Sequence, residues 1–156
     1  MKLIIRAAGS IKRGPERDLI NDYLKRANNL AKATGLNGIM EQEVDVRSCR
    51  NRTESTEKLF KCSADPRSII VLDENGKNLS SRQFSQGIQS HIQDQRSEIY
   101  FVIGEADGFD PEKIPSGVTK WSLGKQTWPH KLVRVMICEQ VYRSLSIINN
   151  TPYHRD

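Results

Sequence analysis

Short apolar runs alternate with amphipathic stretches along most of the chain. Residues 3–8, 68–73 and 98–103 are nearly continuous apolar runs, typical of strands that are covered on both faces of a parallel sheet. Residues 39–46 are more polar, so we place this strand nearer an edge, and residues 121–123 predict one last short strand. Because helical patterns separate these runs, the order predicts an α/β fold with a mostly parallel sheet and helices on both faces.

Three amphipathic stretches between the strands predict helices. The first follows the basic loop at residues 12–15 and ends near Gly35, which stands where a C-cap glycine belongs. Thr53 is a candidate N-cap for a short second helix. Ser80 and Gln83 form a capping-box pattern that opens the third helix.

Turn signals follow two of the predicted buried strands. Glu74-Asn75-Gly76 is expected to end the strand at residues 68–73, and Asp110-Pro111 reads as an N-cap followed by proline at the first helical position. Ligands of parallel sheets bind beyond the carboxyl ends of the strands. The segments in which we expect a binding site are therefore residues 72–76, 104–108 and 123–128.

A final helix is predicted over residues 129–148. Its apolar residues cover more than the ~100° stripe of a helix that is buried on one side only. One side would face the sheet of its own chain, and a second copy of the chain is the simplest cover for the other side. This pattern predicts a homodimer, and the alternative is a single central helix in a monomer.

Length and composition narrow the class of protein. A chain of 156 residues that is 37% hydrophobic and 28% charged is expected to form one domain over residues 1–156. The sequence has no apolar run of membrane-spanning length, and charge interrupts the first apolar residues too early for a signal peptide. We therefore expect a cytoplasmic protein without a membrane partner.

Charge and cysteine content bear on partners. Lys and Arg number 24 against 19 Asp and Glu, which gives a net charge of +5 and a mild bias toward polyanions. Three widely spaced cysteines, Cys49, Cys62 and Cys138, favour reduced thiols over a disulfide framework or a zinc site. No dinucleotide fingerprint, phosphate loop, nucleophile elbow or metalloprotease motif is present, and no metal is expected.

The chain has three histidines, and the C-terminal one stands in a chemically dense tail. His91 is expected on a solvated helix face, and His130 is equally compatible with a structural hydrogen bond and a ligand role. Tails are usually frayed and neutral in function. However, Tyr153 can stack, the His154 imidazole can accept or donate a proton and Arg155 can bind a phosphate, so together they suit contact with an RNA nucleotide.

Residues 121–143 and the tail 152–156 strongly resemble the RlmH family of SPOUT-class RNA methyltransferases. The resemblance extends over the whole chain, including residues 1–3, 72–73 and 102–104. It implies a C-terminal trefoil knot and a homodimer that binds S-adenosylmethionine at the knot. It also implies methylation of N3 of a pseudouridine in helix 69 of 23S ribosomal RNA, on the assembled ribosome.

The resemblance also implies site residues. The implied cofactor-binding residues lie at the three strand ends named above: Leu72, Gly104, Leu123, Gly124, Lys125, Gln126, Thr127 and Trp128. For the chemistry we expect His154 as base or orienting group, Arg155 as electrostatic stabiliser and Tyr153 as stacking or positioning residue. The alternative is that solvent takes the proton and the tail only clamps RNA.

The sequence departs from the family pattern at two positions. Glu105 stands where the family has a second glycine, and its carboxylate could attract a cationic ammonium or sulfonium group. Trp128 replaces a smaller apolar residue, which we interpret as a packing substitution.

Other basic residues are candidates for RNA contact. Lys125 and Lys131 flank the expected site, whereas Arg134 and Arg143 suit intersubunit salt bridges at least as well as phosphate contacts. Two further interpretations stay open. The chain could be a non-catalytic RNA-binding or ribosome-associated module that lost cofactor affinity through Glu105, or it could perform the same chemistry on another RNA.

Overall fold

A computed structural model describes residues 1–155 of the chain. Within that range, five parallel strands form one sheet in the order β2-β1-β4-β3-β5: β1 (Lys2–Ala8), β2 (Gly38–Val44), β3 (Ile69–Asn78), β4 (Glu98–Ile103) and β5 (Thr119–Ser122). The helices between and after them are α1 (Pro15–Ala31), α2 (Arg52–Phe60), α3 (Ser81–Gln93) and α4 (His130–Ile148). The α/β class is confirmed, and every strand pair is parallel. The trefoil knot stays a prediction.

Side chains on successive strand residues alternate between two hydrophobic cores. In β1, Leu3 and Ile5 pack with residues of α1, α3 and α4, whereas Ile4 packs on the opposite face with residues of α2. In β4, Phe101 joins the first core and Val102 the second. Helices therefore cover both faces of the sheet, as predicted from the continuous apolar runs. The more polar strand β2 lies at an edge, which also agrees with the prediction.

Strand β3 does not end at the predicted turn. Its pairing with β5 is interrupted after Leu72 and resumes at Lys77, which lies opposite Trp121. Gly76 lies inside this irregular stretch, where a Cβ atom would be 2.6 Å from the carbonyl carbon of Trp121. The expectation that the strand ends at Glu74-Asn75-Gly76 was therefore wrong. The glycine permits close approach of two strands, and residues 73–76 bulge at the carboxyl side of the sheet.

The close contact at Gly76 leads to a stability prediction. We expect Gly76→Ala to lower the free energy of unfolding by about 1–3 kcal/mol, because the methyl group has no room beside the β5 backbone. Gly38→Ala is the matched control, since its nearest atom would be Asn28 Oδ1 at 3.9 Å. Urea unfolding of both variants measures the difference. Equal midpoints for the two variants would contradict the tight pairing of β3 with β5.

Caps of the helices agree only partly with the predictions. The capping box of Ser80 and Gln83 is present at α3. Asn51 caps α2 instead of Thr53, because its side chain accepts a hydrogen bond from the Glu54 amide. Asp110 caps a single 3-10 turn only. Thr53 is the second residue of α2, and its hydroxyl donates to Asp110 Oδ2 at 2.6 Å. This hydrogen bond connects α2 to the segment after β4.

Helix α4 packs between the sheet, α1 and α3, and it buries a charged side chain. Arg134 is 1% exposed. Its Nη1 donates to Glu41 and Glu43 at 3.0 Å, and its Nη2 donates to the carbonyl of Ala8 at 2.8 Å. Arg134 thus joins α4 to the edge strand of its own chain. The expectation of an intersubunit or phosphate contact for Arg134 was wrong. Arg143 pairs with Glu139 of its own helix, and the same expectation for Arg143 stays a prediction.

Candidate active site

A cavity of about 450 Å³ opens at the carboxyl ends of β3, β4 and β5. Its volume falls within the range of small-molecule sites. Its walls are residues 72–75, the segment from Ile103 to Phe109, the loop after β5 and the first turn of α4. Seven of the eight implied cofactor residues line it: Leu72, Gly104, Leu123, Gly124, Gln126, Thr127 and Trp128. Lys125 does not line the cavity and is exposed to solvent.

The loop after β5 is shaped by a serine and a glycine. Gly124 has a φ of 117°, which L side chains rarely adopt. The Ser122 hydroxyl accepts from the Gly124 amide at 3.1 Å and donates to its carbonyl at 2.7 Å. This closed local turn directs the following residues across the cavity, and Trp128 stays 39% exposed at its mouth. The sequence analysis missed Ser122, although a serine two residues before a glycine is a known turn signal.

The loop after β4 is held in place by an aromatic ring. Gly104 packs against Phe109 so closely that a Cβ atom would lie 3.0 Å from the ring. Phe109 in turn contacts Phe60 of α2, with 5.6 Å between ring centroids. Inside the loop, the Gly108 amide donates to the Glu105 carbonyl at 3.0 Å and forms a tight turn. This wall of the cavity is therefore connected to α2, and a side chain at residue 104 would require the Phe109 ring to move.

His130 lies in the cavity wall at the start of α4. Burial lowers the pKa of His130, and the positive charges of Arg134 and Lys131 lower it further. The charge of Glu105 acts in the opposite direction. His130 is therefore a neutral imidazole at pH 7, available for a hydrogen bond. His91 is half-buried on α3, so the expectation of a solvated face was wrong for it.

The tail of the chain folds back on α4. The Tyr153 hydroxyl donates to Glu139 Oε1 at 2.9 Å, and the Arg143 guanidinium lies 4.8 Å from the centroid of the Tyr153 ring. His154 Nδ1 is 3.2 Å from Arg143 Nη1. Burial raises the pKa of Tyr153 far above its usual range, and the Glu139 hydrogen bond raises it further. The phenol therefore stays protonated and acts as a donor.

Within one chain, the tail and the cavity are separate. Of the described residues, none from 151 to 155 lines the cavity. The tail lies beside a second groove of about 470 Å³, which is formed by α1, α4, the end of β3 and the start of α3. Ser122 and Leu123 line both the groove and the cavity. From Val133 at the cavity to Arg143 at the tail, α4 rises about 15 Å at 1.5 Å per residue. The structure thus brings the implied cofactor residues together and leaves Tyr153, His154 and Arg155 apart from them.

The described residues 1–155 contain no group of three His, Cys, Asp or Glu side chains that could hold a metal ion. In the same range, no helix combines the length and the apolar character needed to cross a bilayer. Cys49, Cys62 and Cys138 are free thiols. Burial raises the pKa of Cys138 to about 12, so this thiol is unreactive at neutral pH.

Comparison with known proteins decides the family. The family model described as "Predicted SPOUT methyltransferase" matches residues 1–154. The chain belongs to the SPOUT methyltransferase family. The resemblance stated from the sequence is thus confirmed, and so are the class of enzyme and the fold class. The methyl donor expected of such an enzyme is S-adenosylmethionine, and a cavity of this size at the ends of parallel strands fits it.

Relatives of this SPOUT methyltransferase carry a more specific name. Proteins named "Ribosomal RNA large subunit methyltransferase H" are similar over the full length of both chains, with 43% identity in Maricaulis maris and 40% in Roseobacter denitrificans. A solved structure of Lpg2936 from Legionella pneumophila with bound S-adenosylmethionine gives a TM-score of 0.43 at 14% identity. That comparison covers 94% of this chain and 66% of the other.

Proposed function

We propose that this SPOUT methyltransferase transfers a methyl group to N3 of a pseudouridine in helix 69 of 23S ribosomal RNA, on the assembled ribosome. The observation that carries the proposal is similarity over the full chain to proteins named for the large-subunit ribosomal RNA. Physical support comes from the cavity at the strand ends and from the net charge of +5, which suits a polyanionic partner. As a single-domain cytoplasmic enzyme, the protein would meet ribosomes where they assemble.

The chemistry requires alignment more than covalent participation by the protein. Bound S-adenosylmethionine supplies a methyl group on a positively charged sulfur, and the nucleophilic nitrogen attacks the methyl carbon in line with the bond to sulfur. Leu72 and Leu123 supply apolar walls, and the loop at Gly124 to Trp128 sets the orientation of the donor. The buried β-strands behind these loops hold them rigid. The protein's contribution is therefore a near-attack geometry in a shaped cavity.

The proton on N3 must leave, and the tail is the proposed acceptor region. His154 would take or orient this proton, Arg155 would stabilise the negative charge on the base, and Tyr153 would position the nucleotide. Because the tail lies about 15 Å along α4 from the cavity of its own chain, it would serve the cavity of a partner subunit. This distance supports a homodimer in which each site uses residues of both subunits.

Apolar surface beside α4 also supports the homodimer. Leu132 is 39% exposed and Leu19 of α1 is 45% exposed. Leu19 and Met136 line the second groove, next to the tail. A second copy seated on this groove would cover them and bring its own tail toward the cavity side. The protein would then be a monomer only at concentrations below its dissociation constant.

Two exposed lysines beside the cavity mouth are the proposed RNA contacts. Lys125 and Lys131 stand on either side of Trp128. If each contacts one phosphate, the double variant Lys125→Ala/Lys131→Ala should reduce the slope of log affinity against log salt by about 1.4–1.8. Filter binding to ribosomes between about 50 and 300 mM salt measures this slope. The charge-matched control Lys61→Ala/Lys113→Ala should leave the slope unchanged. A slope for Lys125→Ala/Lys131→Ala equal to that of the control would refute the phosphate contacts.

Methylation of isolated components tests the function directly. Purified protein, S-adenosylmethionine and assembled ribosomes from a strain lacking the modification are incubated, and the ribosomal RNA is digested and analysed by mass spectrometry. We expect one new methyl group on a helix 69 pseudouridine, and none on free large-subunit RNA. A methyl group on transfer RNA instead would favour the same chemistry on another RNA. Ribosome binding without cofactor binding would favour the non-catalytic module.

A further inference from the structure

The cavity of this basic protein is lined by acidic residues. Asp73 and Glu74 project from the β3 side, and Glu105 and Asp107 project from the loop after β4. No Lys or Arg is among its described lining residues. The chain as a whole has a net charge of +5. Negative charge is therefore concentrated at this site against the overall balance.

These carboxylates differ in how far other groups neutralise them. Asp73 lies 3.6 Å from Lys120 Nζ and accepts a hydrogen bond from the Asn75 amide. Glu105 forms no salt bridge with any residue in the described range, and its charge acts on His130, which lines the same cavity. Because burial keeps His130 neutral at pH 7, it does not offset the carboxylate. Among the described residues, no salt-bridge partner therefore offsets the Glu105 carboxylate at the cavity wall.

Two other ligands for an acidic wall fit poorly. A metal ion needs converging ligands, and no such cluster exists among residues 1–155. A phosphate group of RNA would be repelled by four carboxylates. A small organic cation is the remaining chemistry, because an extended acidic wall can act on it without direct coordination.

We propose that Glu105 makes this site select the cationic methyl donor over its neutral product. The inference rests on the proposed function, since it concerns the same cavity. During transfer, the bond between sulfur and methyl carbon breaks and its electron pair stays on sulfur, while the new bond to N3 forms and the N3 proton passes to His154 or to solvent. The sulfur changes from a sulfonium cation to a neutral thioether, while the ammonium and carboxylate of the amino acid part are unchanged. A negative charge near the sulfur therefore favours substrate over product.

The position of Glu105 supports this role. It directly follows Gly104, an implied cofactor residue at the end of the buried strand β4, and its carbonyl closes the turn with Gly108. The backbone at Glu105 is consequently fixed, and the side chain is exposed at the cavity wall. The resemblance stated from the sequence implies glycine at this position, which has no charge. The selectivity would thus belong to this chain and to relatives with an acidic residue at the same place.

Binding of three ligands to the purified protein tests the inference without measuring activity. Isothermal titration compares S-adenosylmethionine, sinefungin, which has an ammonium group in place of the sulfonium, and S-adenosylhomocysteine, which is neutral at that point. We expect Glu105→Gln to weaken both cationic ligands by about fivefold and to change the affinity for S-adenosylhomocysteine by less than twofold. Glu105→Asp should keep most of the preference. Glu112→Gln, outside the cavity, is the matched control and should change none of the three affinities.

The outcomes separate the inference from the function. Equal weakening of all three ligands in Glu105→Gln, or no weakening of any, overturns the charge selection while leaving the methyltransferase proposal intact. Failure of the wild-type protein to bind any of the three ligands overturns both. A preference for the cationic ligands that shrinks in the glutamine variant and fades as salt increases supports the inference, because screening weakens charge interactions at an open cavity.

Discussion

Replacing Arg134 with alanine is expected to lower the free energy of unfolding by about 3–5 kcal/mol, the range for breaking a buried ion pair by removing one partner. The guanidinium is 1% exposed and bonds Glu41, Glu43 and the carbonyls of Ala8 and Gly9. Its loss removes these four hydrogen bonds and leaves a void where α4 packs against the sheet. Arg17 remains on Glu41 at 2.5 Å, which places the effect toward the lower end.

Chemical denaturation of the variant and of a control measures this effect. Arg47→Ala removes an arginine whose side chain is 86% exposed and pairs with Asp45 at the surface. Such pairs contribute about 0–1 kcal/mol. If both variants unfold at the same urea concentration, Arg134 does not hold α4 to the edge strand. A near-neutral result for Arg134→Met alone would mean that filling the space matters more than the charges.

Replacing His154 with alanine is expected to slow methyl transfer by roughly 100-fold or more, the lower end of the range for loss of a general acid or base. Single-turnover rates at saturating ribosome and cofactor isolate the chemical step from binding. His91→Gln, on α3 and outside the cavity lining, is the matched control and should keep the wild-type rate. A wild-type rate for His154→Ala would remove this residue from the chemistry and favour solvent as the proton acceptor.

Mixed dimers of the proposed homodimer test which subunit supplies the tail. Gly124→Val is expected to disrupt the loop that lines the cavity, because L side chains rarely adopt its φ of 117°. If the tail serves the partner's cavity, a heterodimer with His154→Ala in one subunit and Gly124→Val in the other keeps one working site. Placing both changes in the same subunit abolishes activity. A tail that serves its own cavity reverses the two results.

The local features of the fold could be predicted because they depend on residues near each other in sequence. The continuous apolar runs of β1 and β4 predicted a sheet that is covered on both faces, and Ser80 with Gln83 predicted the start of α3. Gly76 was misread as a turn because its role depends on the approach of Trp121 in another strand. A glycine signals conformational freedom and close packing in the same way, so sequence alone does not distinguish them.

Long-range polar contacts could not be predicted from the sequence. Arg134 bonds Glu41 across 93 residues, and nothing in the spacing of either residue marks the pair. The place of the candidate cavity could be predicted, because parallel strands end at a common edge and the three segments that follow them meet there. Its charge was not recognised, because Asp73 and Glu74 resemble ordinary loop residues until the fold sets them opposite Glu105.

A crystal structure of the protein with S-adenosylmethionine is the most direct test of the proposed cofactor site. We expect the cofactor in the cavity between the loops after β3, β4 and β5, with its sulfur on the side of Glu105. We also expect the tail of a partner subunit close to the methyl group. A cofactor bound instead in the groove between α1 and α4, or a cavity filled by protein side chains, would show that the methyl donor does not bind in this cavity.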